Sequence, residues 1–258
     1  MTQNIPTPKR LTGHRALVTG STSGIGRAVA EALAREGATV VVSGRDALQG
    51  EAVLAGIRAE GGAAHFVAAD LAEGASAVES LVAGATDAAG GAIDLLVNNA
   101  AQLIPAQSLL DVDESLADRA LAVNVKAPAL LTRAVVPGML ASGGGAIVNM
   151  GSVNGVVGMP VAALYGATKA ALHSLTASWA AELAARGIRV NAVAPGPTMT
   201  PANAPYHENL RQLTAAVPDR RPGTGEEVAA AVVFLLGDQA AHIHGAVLPV
   251  DGGLLAAR

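Results

Sequence analysis

RALVTGSTSGIG, residues 15–26, is the stretch whose reading decides the fold. Its first five residues form a short apolar run of strand character, and Gly20, Gly24 and Gly26 follow before a helical pattern begins. Each glycine has a use in such a turn. Gly20 permits the sharp bend, Gly24 lets the backbone approach a pyrophosphate, and Gly26 allows close contact between helix and strand. Thr22, Ser23 and Ile25 belong to the same phosphate-contacting stretch, where the helix amino terminus offers free N–H groups and a partial positive charge. With 30 glycines in 258 residues the spacing alone says little. Its position, directly after the first strand and opening the first helix, is what counts.

The strand–helix pattern then repeats along the chain. Strands are predicted over residues 15–19, 39–43, 64–68, 93–97, 146–150, 189–194 and 246–250. Helices are predicted over 25–35, 47–60, 75–89, 165–186 and 226–236, with helical stretches over 114–141. Seven strands alternating with helices predict an α/β fold, a doubly wound seven-stranded parallel sheet with helices on both faces. No linker or shift of composition interrupts the alternation, so residues 1–258 read as one domain. Residues 1–13, with Pro6 and Pro8, read as a loose arm. The one long irregular connection, 195–224, holds six of the thirteen prolines, and its part 197–222 reads as a substrate lid.

Composition narrows the function. The chain is 51% hydrophobic but only 2% aromatic, so its core must be built from Ala, Val, Leu and Ile. A net charge of −4 opposes a nucleic-acid partner. The absence of cysteine excludes disulfides, iron–sulfur clusters and thiolate zinc sites. The amino terminus lacks an apolar signal-peptide core, and the longest purely apolar run, 228–236, is about half of what a membrane helix needs. A soluble cytoplasmic protein with no membrane partner is expected.

The chemistry is expected in SVNGVVGMPVAALYGATK, residues 152–169. Tyr165 and Lys169, four apart on a helix, share one face. An ammonium beside a phenol favours the phenolate, so Tyr165 is expected to fall from the usual value of about 10 towards neutrality and to exchange protons with an alcohol or carbonyl oxygen. Ser152 follows an apolar strand and so faces the crevice at the strand ends. For an isolated YxxxK the plainer reading, a packed tyrosine and a solvated lysine, carries more weight; the rest of the chain reverses it.

Nucleotide preference is read at the end of the second strand, Ser43–Asp46. Gly44 stands where an acid would repel a 2′-phosphate, and Arg45 can pair with that phosphate, so NADP(H) is expected over NAD(H). Asp46 has the spacing of a ribose-binding acid, yet Asp46–Gln49 also reads as a helix capping box, the better fit. Asp70 either accepts from the adenine amino group or caps a helix. The amides of Asn98 and Asn99 either tie strand ends together or serve a turn. His242 and His244 share one face if they lie in a strand, but two histidines make a poor metal site, and no metal is expected.

Together these residues resemble the short-chain dehydrogenase/reductase family, in its compact, 3-oxoacyl-reductase-like branch. The likeness spans residues 15–253 and is carried by TGSTSGIG, Asp70-Leu71, Asn98-Asn99-Ala100, Asn124 in LAVNV, Ser152, YGATK, PGPTMT from Pro195, and VDGG from Val250. Ala101, where the family usually has glycine, and Gly151 depart from its pattern. The resemblance implies a Rossmann fold and hydride transfer between NADP(H), or NAD(H), and a secondary alcohol or ketone. It implies Tyr165 as general acid–base, Ser152 orienting the substrate oxygen, Lys169 on the nicotinamide ribose, and Asn124 holding a relay water. It also implies cofactor contacts from Asp70, Leu71, Asn98, Ala100, Pro195, Gly196, Thr198 and Thr200. A homotetramer, or a homodimer, is implied through the Tyr165 helix, whose face is rich in alanine, and the helix before it. The alternatives are a non-catalytic NADP(H)-binding sensor or scaffold, which commonly lacks the tyrosine or lysine kept here, and a methyltransferase, which needs no YxxxK.

Overall fold

The computed structural model describes residues 9–257. Strands β1 (Arg15–Thr19), β2 (Thr39–Gly44), β3 (Ala63–Ala68), β4 (Leu95–Asn98), β5 (Gly145–Met150), β6 (Ile188–Pro195) and β7 (Val247–Val250) form one sheet in the order β3-β2-β1-β4-β5-β6-β7. Every pairing is parallel. Helices α1 (Gly24–Arg35), α2 (Ala47–Ala59), α3 (Ala75–Ala89), α4 (Glu114–Leu121), α5 (Ala127–Ala141), α6 (Ala163–Leu183), α7 (His207–Thr214) and α8 (Gly225–Leu236) surround it. This is the doubly wound Rossmann arrangement that the alternation predicts. The strand order reverses between β1 and β4, which opens a crevice at the carboxyl ends of the central strands.

The strands are continuous apolar runs because both faces of the sheet are covered. Side chains alternate between two cores. Ala16 and Val18 join Leu33, Val53, Ile57 and Val232 on the α1–α2–α8 side. Leu17 between them joins Val78, Leu81, Leu131, Val135 and Met139 on the α3–α5–α6 side. Small residues set the layer spacing: a Cβ added at Gly225 at the start of α8 would lie 3.1 Å from that of Ala28 in α1.

Three expectations need correction. Residues 1–8 of the expected arm lie outside the described residues, and 9–13 are not loose. Leu11 is fully buried, its N–H donates to the Glu36 carbonyl at 2.9 Å, and Arg10 pairs with Glu36 at 2.6 Å. The helical stretches expected over 114–141 are two helices joined by a π-turn, Ala122–Lys126. The connection 195–224 is not irregular throughout, since it carries a 3₁₀ turn, Pro201–Tyr206, and the helix α7. His242 and His244 precede β7 in a loop, so they share no strand face.

A buried polar thread runs from the sheet centre to α6. Asn98 Nδ2 donates to Asn149 Oδ1 at 2.8 Å, Asn149 Nδ2 donates to Thr176 Oγ1 at 2.9 Å, and Thr176 Oγ1 donates to the Leu172 carbonyl at 2.8 Å. All three side chains are at most 3% exposed, so breaking the thread strands polar groups away from water. Asn149→Ala is therefore expected to cost about 2–4 kcal/mol, read as a lowered midpoint of urea unfolding.

Candidate active site

The glycine loop is shaped by its own crowding. Gly20 has φ +61°, and a Cβ there would lie 2.7 Å from the Ala100 backbone. Gly24, at φ +56°, also needs the left-handed region. A Cβ at Gly26 would run into the Gly20 carbonyl and the Asn99 amide, which is the close helix–strand approach expected of it. Ser21 braces the loop on β2, donating to the Val18 carbonyl at 2.6 Å and accepting from Ser43 N–H at 3.0 Å. Ser23 at the N-cap of α1 makes no side-chain cap, so the first N–H groups of that helix are left for an anion.

These residues line a cleft of about 560 Å³. Thr22, Ser23, Ile25, Arg45, Asp70, Leu71, Ala100, Ser152, Tyr165, Lys169, Pro195, Gly196, Thr198 and Thr200 line it with the three glycines. Asn98 does not. It is buried between β4 and β5 in the polar thread, and its cofactor role is withdrawn. Its neighbour Asn99 lines the cleft instead, donating to the carbonyls of Thr19 and Gly20 at 2.8 and 2.9 Å. The tying of strand ends thus holds for both amides.

At the tip of β2, Arg45 is exposed and pairs with no acid among the described residues, beside a shallow hollow that includes Thr22, Ser23 and Gln49. Gly44 is needed there because an added Cβ would meet Thr22 at 2.7 Å. Asp46 caps α2, accepting from Gln49 N–H at 3.1 Å. Asp70 caps the turn Leu71–Glu73 through Ala72 N–H at 3.0 Å and lies 3.4 Å from Arg119, which reaches across the cleft.

Ser152, Tyr165 and Lys169 converge at the other end. Lys169 Nζ lies 5.6 Å from the centre of the Tyr165 ring and donates to the Met150 carbonyl at 2.7 Å. Ser152 Oγ accepts from Asn154 N–H at 3.1 Å, and its hydroxyl is within hydrogen-bonding reach of the Tyr165 phenol in the cleft. The expected acidification of Tyr165 does not hold in the protein alone. Burial pushes the phenol up, and the Ser152 hydroxyl only partly opposes it. Burial also brings Lys169 down to about 8.

Asn124 lies behind the cleft, on the π-turn. Its Oδ1 accepts from Gln102 N–H at 2.7 Å, and its Nδ2 donates to Thr168 Oγ1 at 3.2 Å, while Thr168 in turn donates to the Tyr165 carbonyl at 2.8 Å. At the base of the expected lid, Met199 N–H donates to the Gly223 carbonyl and Gly223 N–H to Pro197, both at 2.9 Å. Ala202, Asn203 and Leu210 from this segment line the cleft.

The left-handed glycines, the uncapped helix terminus and the elongated cleft fit a dinucleotide, and known proteins agree. A family model described as enoyl-(acyl carrier protein) reductase matches residues 20–255. The 2-(S)-hydroxypropyl-CoM dehydrogenase 3 of Xanthobacter autotrophicus is 38% identical over 255 residues, covering 96% of this chain and 98% of that one. A solved short-chain dehydrogenase/reductase family protein superposes with a TM-score of 0.86 at 45% identity, covering 96% and 99%. A solved candidate NAD(P)-dependent gluconate 5-dehydrogenase from Beutenbergia cavernae, with NADP bound at low occupancy, gives 0.89 at 38%, covering 97% and 100%.

The buried amine makes a prediction about stability. An unfolded chain holds the Lys169 proton up to about pH 10.5, the folded chain only up to about 8. Between these values the unfolded state binds more protons, so this group makes folding stability rise with pH there. Lys169→Met is expected to be more stable than wild type below pH 8 by about 1–3 kcal/mol, with the gap closing towards pH 10.5 in urea unfolding.

Proposed function

The chain belongs to the short-chain dehydrogenase/reductase family and is an NAD(P)-dependent oxidoreductase; from that premise we propose that it interconverts a secondary alcohol and a ketone with NADP(H), through Tyr165 as general acid–base. When bound, the dinucleotide supplies the hydride. The remaining work belongs to the chain's own side chains. Ser152, with its oxygen engaged by Asn154 N–H, donates its hydroxyl hydrogen to the substrate oxygen and orients it. Tyr165, held protonated by burial, donates a proton to the same oxygen as the carbonyl is reduced. Lys169 holds a positive charge beneath the phenol and a ribose hydroxyl in place.

The observation that carries this reading is the convergence of Ser152, Tyr165 and Lys169 in the cleft that the glycine loop opens. A phenol kept protonated near pH 7 favours reduction there. Oxidation needs the phenolate, so it should gain as pH rises.

NADP(H) preference rests on exposed Arg45 and on Gly44 standing where an acid would repel a 2′-phosphate, while the neighbouring Asp46 carboxylate is engaged by Gln49 as the cap of α2. Leu103, Ala202 and Leu210 wall the cleft beyond the catalytic groups and favour a ketone with an apolar arm, over which residues 197–222 close as a lid. Exposed Ala170, Ala177 and Ala181 on α6 support a homotetramer, or a homodimer, built across that face. No helix among the described residues is long and apolar enough to cross a membrane, which accords with a cytoplasmic enzyme.

The test follows NADPH absorbance with a panel of ketones, including ethyl acetoacetate and 5-keto-gluconate. Tyr165→Phe should lower kcat by about 100-fold or more while leaving NADPH binding within a few-fold. Activity surviving at the wild-type level would overturn the mechanism. Arg45→Asp should shift the ratio of kcat/KM for NADPH over NADH by at least about tenfold towards NADH, a change worth ~1.4 kcal/mol.

A further inference from the structure

Behind the catalytic serine lies a histidine that the roles above leave unused. His173 stands on α6, one turn beyond Lys169, and is half-buried. Its Nε2 accepts from the Ser152 backbone N–H at 3.4 Å. The loop that carries the serine is cut to fit this ring. A Cβ at Gly151 would overlap Nε2 itself, and one at Gly155 would lie 2.8 Å from Cε1. The glycine before Ser152, a departure from the family pattern, is thus the space that the imidazole occupies.

We propose that His173 is a positioning residue for Ser152: its neutral imidazole holds the serine N–H from behind while Asn154 N–H holds Oγ, so that the hydroxyl hydrogen points only into the cleft. The inference rests on the carbonyl-reductase reading for the reaction served, but not for its geometry. A neutral ring that accepts at Nε2 must carry its proton on Nδ1. Burial and, after it, the neighbouring Lys169 ammonium hold His173 below the ordinary imidazole range, so that the lone pair persists at neutral pH. The bond to His173 fixes where the serine backbone stands and the bond from Asn154 N–H fixes the rotamer of Oγ, so the two together set the position of the oxygen. A misplacement of about 1 Å at such a group costs about 100-fold in rate.

Two variants separate positioning from packing. His173→Gln keeps an acceptor where Nε2 stood, whereas His173→Leu keeps the bulk and loses the acceptor. With NADPH and the ketone that wild type reduces fastest, His173→Leu should lose about 10–100-fold in kcat with the KM for NADPH within about twofold. His173→Gln should stay within about threefold of wild type. Equal losses in the two variants, or a loss confined to the KM for NADPH, would overturn the proposal. A second measurement needs no substrate: ring ¹⁵N shifts should report a bare Nε2 and a protonated Nδ1, and exchange of the Ser152 amide proton should quicken in His173→Leu but not in His173→Gln. A protonated Nε2, or exchange unaffected by both variants, overturns the positioning role. If wild type reduces no ketone while these signatures appear, the reductase reading fails and the grip on Ser152 stands.

Discussion

An amine buried to 3% exposure, with a backbone carbonyl as its hydrogen-bond acceptor, is the constraint on which the cleft depends. Removing the Lys169 charge from water is costly, and one hydrogen bond to Met150 recovers only part of that cost. The surrounding structure must therefore hold α6 where it is. It does so through buried polar groups that cannot let go without giving up hydrogen bonds away from water. The thread Asn98–Asn149–Thr176 fixes the middle of the helix to β4 and β5. Asn124 and Thr168 fix its first turns to the π-turn. The two hydrophobic cores supply the bulk of the stability, and these buried polar contacts set where one particular helix lies.

The same burial explains why phenol and amine move in opposite directions on the pKa scale. Desolvation disfavours whichever form is charged, so it raises Tyr165 and lowers Lys169. Each group is pushed towards neutrality. The site in the protein alone therefore holds a protonated phenol over an amine that is still mostly charged at neutral pH, the state suited to giving a proton to a carbonyl oxygen.

Much of this was legible in the sequence because it is local. Strand periodicity, the glycine turn and the caps at Asp46 and Asp70 depend on residues within one turn or strand of each other. What was not legible depends on the third dimension. Which of Asn98 and Asn99 faces the cleft turns on where β4 ends, and a shift of one residue exchanges the faces. Helix α7, eight residues preceded by Pro205, is too short for its pattern to stand out and forms because the folded chain holds it. Leu11 anchors the amino-terminal end because Glu36 offers its carbonyl, a contact between residues 25 apart in sequence. The spacing of Tyr165 and Lys169 gave their proximity but not their burial, and burial decides the sign of the shift at the phenol. Gly151 departs from the family pattern because the ring of His173, 22 residues later, fills the space a side chain there would take, a contact no local pattern shows.

The most direct test of this account is an ultraviolet difference titration of wild type against Tyr165→Phe without nucleotide. The chain has two tyrosines, so the difference isolates one phenol. Phenolate absorbance assigned to Tyr165 should emerge only above the ordinary value of 10.0. Phenolate emerging near neutral pH would contradict it, because the amine would then outweigh burial.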